Sequence, residues 1–314
     1  MIALELPLAQ HGATVLLNVA VSIAIGAGAT MLWTTQTTSL WARGQAQTVR
    51  RVGLVALALA LCASAGVLWL QAAAMAEVPL AQAAQATLSM LTSTHLGLAW
   101  KIGMGALMLA IAAMARATPG RRERALLLVG LAALAGFLYT RSMVSHASAD
   151  GDFSFLMLVD WVHLILICLW IGEVIVSGLV VLASPPGAVL EDRNDCARYV
   201  ESLSRSATIA LVGIFATGLV NAWRNLGGIG ALASDGYGIT LLIKLTLVLG
   251  AVLLGGANRF VVMPRLIASL RSGNAGADKA MRNFTRILRI EAVVLVVVLL
   301  KAAILSATSP PTAG

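Results

Sequence analysis

Eight apolar runs, each about as long as a bilayer is thick, constrain the fold of this chain more than any other feature. A helix needs about 20 apolar residues to cross the hydrocarbon core. Only 11% of the residues are charged, whereas a soluble domain carries about 25%. The sequence therefore predicts an all-α, polytopic membrane bundle with about eight spans, at 12–34, 52–76, 95–116, 124–146, 154–183, 205–224, 238–262 and 286–307.

The connections between these runs are short. Segment 79–93 is too short and too polar to span, and it predicts a short amphipathic helix on the membrane surface. No loop is long enough to fold by itself. We therefore divide the chain only into an N-terminal half of four spans, 1–150, and a C-terminal half of four spans, 151–314, which together form one membrane domain.

Arginine-rich connections alternate with connections that lack basic residues. The connections after spans one, three, five and seven are rich in arginine, whereas 77–94, 147–153 and 225–237 contain no Lys or Arg. By the positive-inside rule the first set is cytoplasmic, so both termini are predicted to lie on the opposite side of the membrane. The same bias accounts for the net charge of +8 without any role in binding nucleic acid.

The four histidines all fall in the half of the protein predicted to face away from the cytoplasm. His11, His95 and His146 lie near span ends, whereas His163 lies about ten residues, or about 15 Å, into span five. Asp160 precedes His163 by three residues, so the two share one helix face. Ionisable groups inside a bilayer are costly. The pair therefore predicts either a metal site, with Asp160 as ligand or as tautomer-fixing partner, or a polar clamp between helices.

Thioethers recur close to these imidazoles. Met143 precedes His146 by three residues, and Met157 precedes Asp160 by three. Imidazole and thioether without organised thiolates suit copper, particularly Cu(I). The cysteines show no metal-binding spacing, and Cys196 is expected in a loop. Methionine is also a common filler of apolar cores, so packing stays open for each of these residues.

Other charged residues in the spans need partners. Lys244, about six residues into span seven, is expected to neutralise Asp160 or to line a cavity. Glu173 and Glu291 lie toward the cytoplasmic side, where the arginine-rich connections are expected to pair with them. No nucleophile elbow, phosphate-binding loop or dinucleotide fingerprint occurs in a plausible context. The sequence therefore does not predict an enzyme.

Four motifs carry a family resemblance. The run DWVHLILICLWIG at 160–172 resembles the Asp-Trp-x-His…Trp-x-Gly segment of the CopD (copper resistance protein D) family of bacterial inner-membrane proteins. GLVNAW at 218–223, YGITLLIKL at 237–245 and ANRFVVMPRL at 257–266 resemble further stretches of that family in the same order. The resemblance covers about 153–307, whereas the first four spans match only in layout and in the placement of histidines.

The resemblance implies a protein of the inner membrane that handles copper between periplasm and cytoplasm. It implies import more often than export, and a small periplasmic copper-binding partner of the CopC type. By position it points to Asp160 and His163 as residues that contact metal, with Asn221 and Lys244 as support. The complete predicted metal set is His163, His95, His146, His11, Asp160 and Met143, supported by Lys244, Asn221 and Met157.

Two other functions stay open at the level of the sequence. A haem b protein would need two facing imidazoles at matching depth, and a copper-binding assembly scaffold would hold metal without moving it. Glycine-rich helix faces, as at Gly172 and Gly178, permit close contact within or between subunits and so leave a homodimer open.

Overall fold

The computed structural model describes residues 2–35, 37, 39–145, 151–225, 236–272 and 276–306, and these ranges contain helices and no strand. Two turns within these ranges, Ser177–Val181 and Asn258–Val262, are π-helical. In chain order the helices are α1 (Ile2–Thr34), α2 (Leu40–Met75), α3 (Ala84–Ser93), α4 (His95–Arg116), α5 (Glu123–Ser142), α6 (Phe155–Val176), α7 (Leu190–Asn225), α8 (Gly236–Ala257), α9 (Met263–Ser272) and α10 (Ala277–Ser306).

Seven stretches of the described chain are long and apolar enough to cross a membrane. They confirm the predicted all-α, multi-pass membrane bundle. The eighth predicted span corresponds to α10, which is more polar because Arg286, Arg289 and Glu291 lie in its described part. The seven stretches are Leu6–Thr34, Leu40–Met75, His95–Arg116, Glu123–Ser142, Phe155–Val181, Leu190–Asn221 and Leu245–Ser272.

Several helices begin well before the apolar run that predicted them. α2 begins at Leu40 rather than near residue 52, where the Ser39 hydroxyl accepts a hydrogen bond from the Ala42 N–H at 3.3 Å and caps the helix. α7 begins at Leu190 rather than near residue 205. Cys196, expected in a loop, therefore lies on α7 and is buried. A hydropathy profile detects only the part of a helix that lies in the hydrocarbon layer. It does not detect an amphipathic extension of the same helix outside that layer.

The predicted surface segment 79–93 is helical, as expected. It consists of a 3₁₀ turn, Leu80–Gln82, followed by α3. The Trp69 indole of α2 donates a hydrogen bond to the Leu80 carbonyl at 3.1 Å and so holds the turn against the end of α2.

α1 is the central helix of the bundle. It packs most extensively against α2 and α6, and it also contacts α5, α7 and α10. Its closest approach to α6 lies at Gly26 and Gly172, where a Cβ on either glycine would overlap backbone atoms of the other helix. Small residues let membrane helices approach this closely. α1 therefore joins the two halves of the chain into one bundle.

Hydrogen bonds between helix ends agree with the alternation of the connections. At the start of α2, the Trp41 indole donates to the Ser184 carbonyl at 2.9 Å, and its backbone N–H donates to Asp192 at 3.1 Å. These contacts bring together connections that are predicted to be cytoplasmic. At the other end, His95 at the start of α4 contacts Asp152 just before α6. The side of the membrane that each end faces stays a prediction.

Candidate functional site

A histidine–carboxylate pair lies at the end of the bundle that we predict to be periplasmic. Thr94 caps α4, because its hydroxyl accepts a hydrogen bond from the Gly97 N–H at 3.0 Å, and this places His95 at the first helical position. The Nε2 atom of His95 lies 2.7 Å from Oδ2 of Asp152. The imidazole is 49% exposed and the carboxylate 29% exposed. The pair is therefore open to water and to any ligand that arrives from that side.

The connection before α6 is fastened to α5, which positions the Asp152 carboxylate. The Tyr139 hydroxyl donates to the backbone carbonyl of Asp152 at 2.7 Å. The Tyr139 ring meets the Trp161 ring edge-on, with centroids 5.5 Å apart. The Trp161 indole in turn donates to the Ala135 carbonyl at 2.8 Å. Aromatic and hydrogen-bonded contacts thus connect α5, α6 and the residue that pairs with His95.

Asp160 faces the end of α5. Its Oδ2 atom accepts hydrogen bonds from the hydroxyls of Ser142 at 2.9 Å and Ser145 at 3.2 Å. Two hydroxyl donors lower the cost of a carboxylate at this depth, since hydrogen bonds to an ionised acceptor are strong. The acidic side chain therefore has a local environment that tolerates its negative charge.

His163 lies one turn further into α6 and faces α7. Its Nδ1 atom is 2.8 Å from the hydroxyl oxygen of Thr217, and a Cβ at Gly218 would lie 3.2 Å from its Cε1 atom. Asn221, the predicted supporting residue, is half-buried one turn beyond Thr217 on the same face of α7. The hydrogen bonds described for Asp160 and His163 thus lead to different helices, whereas one of the predicted alternatives had Asp160 bonded to the His163 imidazole.

The two predicted thioethers lie together. Met143 and Met157 pack in one cluster with Ala99, and Tyr139 packs against it. Met157 is fully buried, and Met143 is 9% exposed. Along the chain, Ala99 follows His95 by one turn and Met157 precedes Asp160 by one turn. The thioethers therefore occupy the region between the exposed histidine and the two polar residues of α6.

The described imidazole, thiol and carboxylate side chains do not gather into one cluster. No group of three or more His, Cys, Asp and Glu side chains in the described chain could together hold a metal ion. His11 is half-buried on α1, and His146 lies outside the described residues. Lys244 is on α8, but its side chain is outside the described part of the chain. The arrangement that results is a series of separate polar positions at increasing depth.

Two family models match the chain, one in each half. A model of the N-terminal domain of copper resistance protein D-like proteins matches residues 4–155, and the copper resistance protein D model matches residues 197–305. The chain belongs to the copper resistance protein D family. It is therefore a copper-handling membrane protein. No curated protein and no solved structure matches the chain significantly.

The family models match more of the N-terminal half than the motifs did, but they do not cover the first of the four motifs. The N-terminal half of this CopD-family protein matches a family model directly, so the prediction that it matched only in layout was wrong. The run 160–172, which contains Asp160 and His163, falls between the two matched ranges. The roles of these two residues therefore depend on their geometry in this chain.

The CopD-family chain also buries two carboxylates away from the histidines. Glu173 of α6 is 0% exposed and accepts a hydrogen bond from the Ser206 hydroxyl at 2.5 Å. Glu291 of α10 is 3% exposed and accepts one from the Trp170 indole at 3.2 Å. The expectation that arginines would pair with them was wrong for the described residues, whose ion pairs involve other carboxylates. Nearby arginine side chains bind backbone carbonyls instead.

Sequence reasoning missed Asp152, Thr217 and Ser206. Asp152 lies just before span five, in a connection predicted to be periplasmic. Because it is a carboxylate on the same side as the histidines, it could have been predicted as a partner for one of them. The hydroxyls of Thr217 and Ser206 gave no such signal, because Ser and Thr on membrane helices commonly bond backbone carbonyls of their own helix. Thr217 does so as well, since its hydroxyl also donates to the Gly213 carbonyl at 2.6 Å.

Proposed function

We propose that this protein imports copper across the bacterial inner membrane, receiving it at the His95–Asp152 pair and passing it inward to His163. The observation that carries the proposal is the presence of imidazoles at two depths of one bundle. His95 is exposed at a helix end, whereas His163 lies eight residues, or about 12 Å, inside α6.

The residues between these imidazoles suit a copper ion in transit. The Met143–Met157 cluster supplies soft thioethers, which favour Cu(I). Asp160 supplies negative charge at the level of the deeper histidine. Conduction needs positions that bind well enough to admit an ion and weakly enough to release it. A relay, or series of sites with few ligands each, meets that need better than one site with a complete set of ligands, because each of them can release the ion to the next.

The remaining predicted residues have places in the same relay. His11 and His146 are proposed as further ligands, and Asn221 and Lys244 as supporting residues. The water-exposed His95–Asp152 pair is where we place delivery by a periplasmic copper-binding protein of the CopC type. A partner can reach this pair without entering the bundle.

The haem alternative has less support from the described part of the structure. Two of the cavities in the described part of the chain measure about 10 and 40 Å³, which is room for a water molecule or so. The larger one is lined by Arg141, Gln71 and Thr140 among others, and by no histidine. A copper scaffold, in contrast, would use the same ligands and differs only in whether the ion crosses the membrane.

The deciding experiment measures Cu(I) uptake into proteoliposomes together with copper bound to the purified protein. We expect uptake by the wild type, and a loss of at least about tenfold in both quantities for His163→Ala. Asp160→Asn should have a smaller effect, since an amide still accepts the serine hydrogen bonds. Val162→Ala, the neighbouring change, serves as the matched control. Normal uptake by His163→Ala would contradict the relay, and binding without uptake in the wild type would make the protein a scaffold.

The direction of transport depends on the orientation of the bundle. Single cysteines at Thr92 on α3 and at Arg121 between α4 and α5, both exposed, form a matched pair in a background that carries Cys62→Ser. An impermeant thiol reagent should label the first in intact spheroplasts and the second only after lysis. The reverse pattern would place the histidines on the cytoplasmic side.

A further inference from the structure

The α6–α7 interface contains a second polar pair beyond the one formed by His163. Residues at spacings of three and four lie on one helix face, and both helices present such a stripe to the other. We call this interface the α6–α7 seam: it comprises His163, Leu166 and Glu173 on α6, and Ser206, Ala210, Gly213 and Thr217 on α7. The outer pair is His163–Thr217 and the inner pair is Glu173–Ser206. Ten residues, or about 15 Å, separate them along α6.

The part of the seam between the two pairs is apolar. Leu166 packs against Gly213, where an added Cβ would overlap the Leu166 side chain. Ala210, one turn before Gly213 on α7, is fully buried. Leu166 therefore separates the inner pair from the outer pair, and the two can have different chemistry.

The two carboxylate oxygens of Glu173 have different environments. Oε1 accepts the hydrogen bond from Ser206, whereas Oε2 is buried and has no hydrogen-bond partner among the described residues. A buried carboxylate that is ionised and lacks a counter-charge costs several kcal/mol. A proton on Oε2 removes the charge and the cost together. The unpartnered oxygen is thus the atom at which a proton would relieve that cost.

Four charged or titratable side chains of the helices around Glu173 have other partners. The Tyr199 hydroxyl of α7 shares hydrogen bonds with Ser177 and Thr30. Arg259 after α8 donates to the Ser204 carbonyl, and Arg289 of α10 donates to the Gly178 carbonyl. Glu291 of α10 accepts a hydrogen bond from Trp170. α1 presents the backbone of Gly26 to this turn. None of these described contacts supplies a counter-charge to Glu173.

The helix changes form one turn after Glu173. The turn Ser177–Val181 is π-helical, and Arg289 donates to its Gly178 carbonyl at 3.0 Å. π-helical turns inside α-helices are frequent at functional sites. Here the turn connects the inner pair with the arginine-rich end of the bundle, which we predict to be cytoplasmic.

The ligand atoms of the inner pair are a carboxylate and a hydroxyl. Such hard oxygens suit a proton far better than they suit Cu(I), which prefers sulfur and imidazole nitrogen. We infer that Glu173 is a proton-binding site at the inner end of the α6–α7 seam, separate from the copper positions. The proton binds at Oε2, and the Ser206 hydroxyl stabilises the ionised form after it leaves. Coupling of this proton to copper movement rests on the proposed function, whereas proton binding itself does not.

The test uses copper-free protein, so that it can succeed or fail independently of copper transport. Infrared difference spectra are recorded on the wild type from about pH 5 to about pH 10, in the C=O region of protonated carboxyl groups. We expect a titrating component that Glu173→Gln removes completely. Glu291→Gln, the matched buried carboxyl of another interface, should leave that component in place. Ser206→Ala should move its midpoint upward by about one pH unit, since the ionised form loses a donor.

Three results would overturn the inference. One is a titrating spectrum that is unchanged by Glu173→Gln. Another is a component that disappears in this variant but does not titrate in the wild type. Such a carboxyl would be protonated at every pH tested, and it would act as a structural hydrogen-bond donor rather than as a site that exchanges a proton. The third is a midpoint that stays fixed in Ser206→Ala, since Ser206 would then have no contact with the titrating group.

Discussion

The two sides of α6 are built in different ways. Toward α1, the helix makes a backbone-to-backbone contact at Gly172 and Gly26, with no side chain between them. Toward α7, it makes its contacts through side chains, the outer pair, Leu166 and the inner pair. Backbone atoms cannot rotate away from one another, whereas leucine, histidine and glutamate side chains can adopt other rotamers.

This difference suggests a division of labour within the bundle. The α1–α6 contact is a fixed frame that holds the two halves of the chain together. The α6–α7 seam is an interface whose side chains can rearrange around a passing ion or proton without moving the frame. Each prediction below tests one side of this comparison, and the expected effects decrease from one to the next.

The largest effect is expected for Gly172→Ala. Its Cβ would overlap the Ser22 carbonyl of α1, so the two helices would have to separate. We expect a loss of about 3 kcal/mol or more in the free energy of unfolding, at the upper end of the range for overpacking, and little folded protein. Thermal unfolding in detergent measures the effect. Gly105→Ala on α4 is the control, since its Cβ meets nothing within 4 Å. If both variants lost the same free energy of unfolding, the close α1–α6 contact would not be the cause of the effect at Gly172.

The sequence predicted the helical architecture but not the partners of its polar residues. Apolar run length follows directly from bilayer thickness, so the spans could be placed before the structure was known. The Gly26–Gly172 contact and the pairs across the seam join residues far apart in the chain, and their existence depends on how the helices are rotated. The sequence shows which residues could make such contacts. Which of them meet depends on the rotation of each helix about its axis, and that rotation is determined by the packing of the entire bundle.

The predicted site shows the same division. His163 and Asp160 were identified by their cost in a bilayer, which is a local property. Their partners, Thr217 for the first and Ser142 with Ser145 for the second, are ordinary hydroxyls with no local cost to reveal them. A sequence thus indicates which side chains need compensation and leaves open which neighbours provide it.

A smaller effect is expected for Gly213→Ala in the seam. The added Cβ meets the end of the Leu166 side chain, which can move to another rotamer. We expect destabilisation of about 1–2 kcal/mol, measured by the same thermal unfolding. The double variant Leu166→Ala/Gly213→Ala should be less destabilised than the sum of the single variants. Strict additivity would show that Leu166 and Gly213 do not meet, and would remove the barrier between the two pairs.

The next prediction separates the outer pair from the inner pair. Thr217→Val removes the hydroxyl next to His163 and preserves the shape of the side chain, and Ser206→Ala removes the hydroxyl next to Glu173. Either change should cost about 0.6 kcal/mol of stability, as is typical of hydrogen bonds between membrane helices. Copper binding should weaken several-fold in Thr217→Val, because the His163 ring loses the hydroxyl that bonds its Nδ1 atom and helps to orient it. If Ser206→Ala weakened copper binding equally, the two pairs would form one site.

The smallest effect on stability is expected at the exposed His95–Asp152 pair. Both side chains are solvent-accessible, and an exposed ion pair contributes between about 0 and 1 kcal/mol. Asp152→Asn should therefore leave thermal unfolding nearly unchanged, while the amide still accepts a hydrogen bond from the imidazole. If the pair receives copper, the initial rate of uptake at low copper concentration should nevertheless fall several-fold, because the negative charge that attracts the cation is gone. Added salt should slow the wild type more than the variant, since screening acts on the charge that the variant lacks. Tyr139→Phe, which releases the backbone of Asp152 without changing its charge, should preserve most of that salt dependence. An uptake rate in Asp152→Asn equal to that of the wild type at every salt concentration would show that copper reaches His163 without contacting this pair.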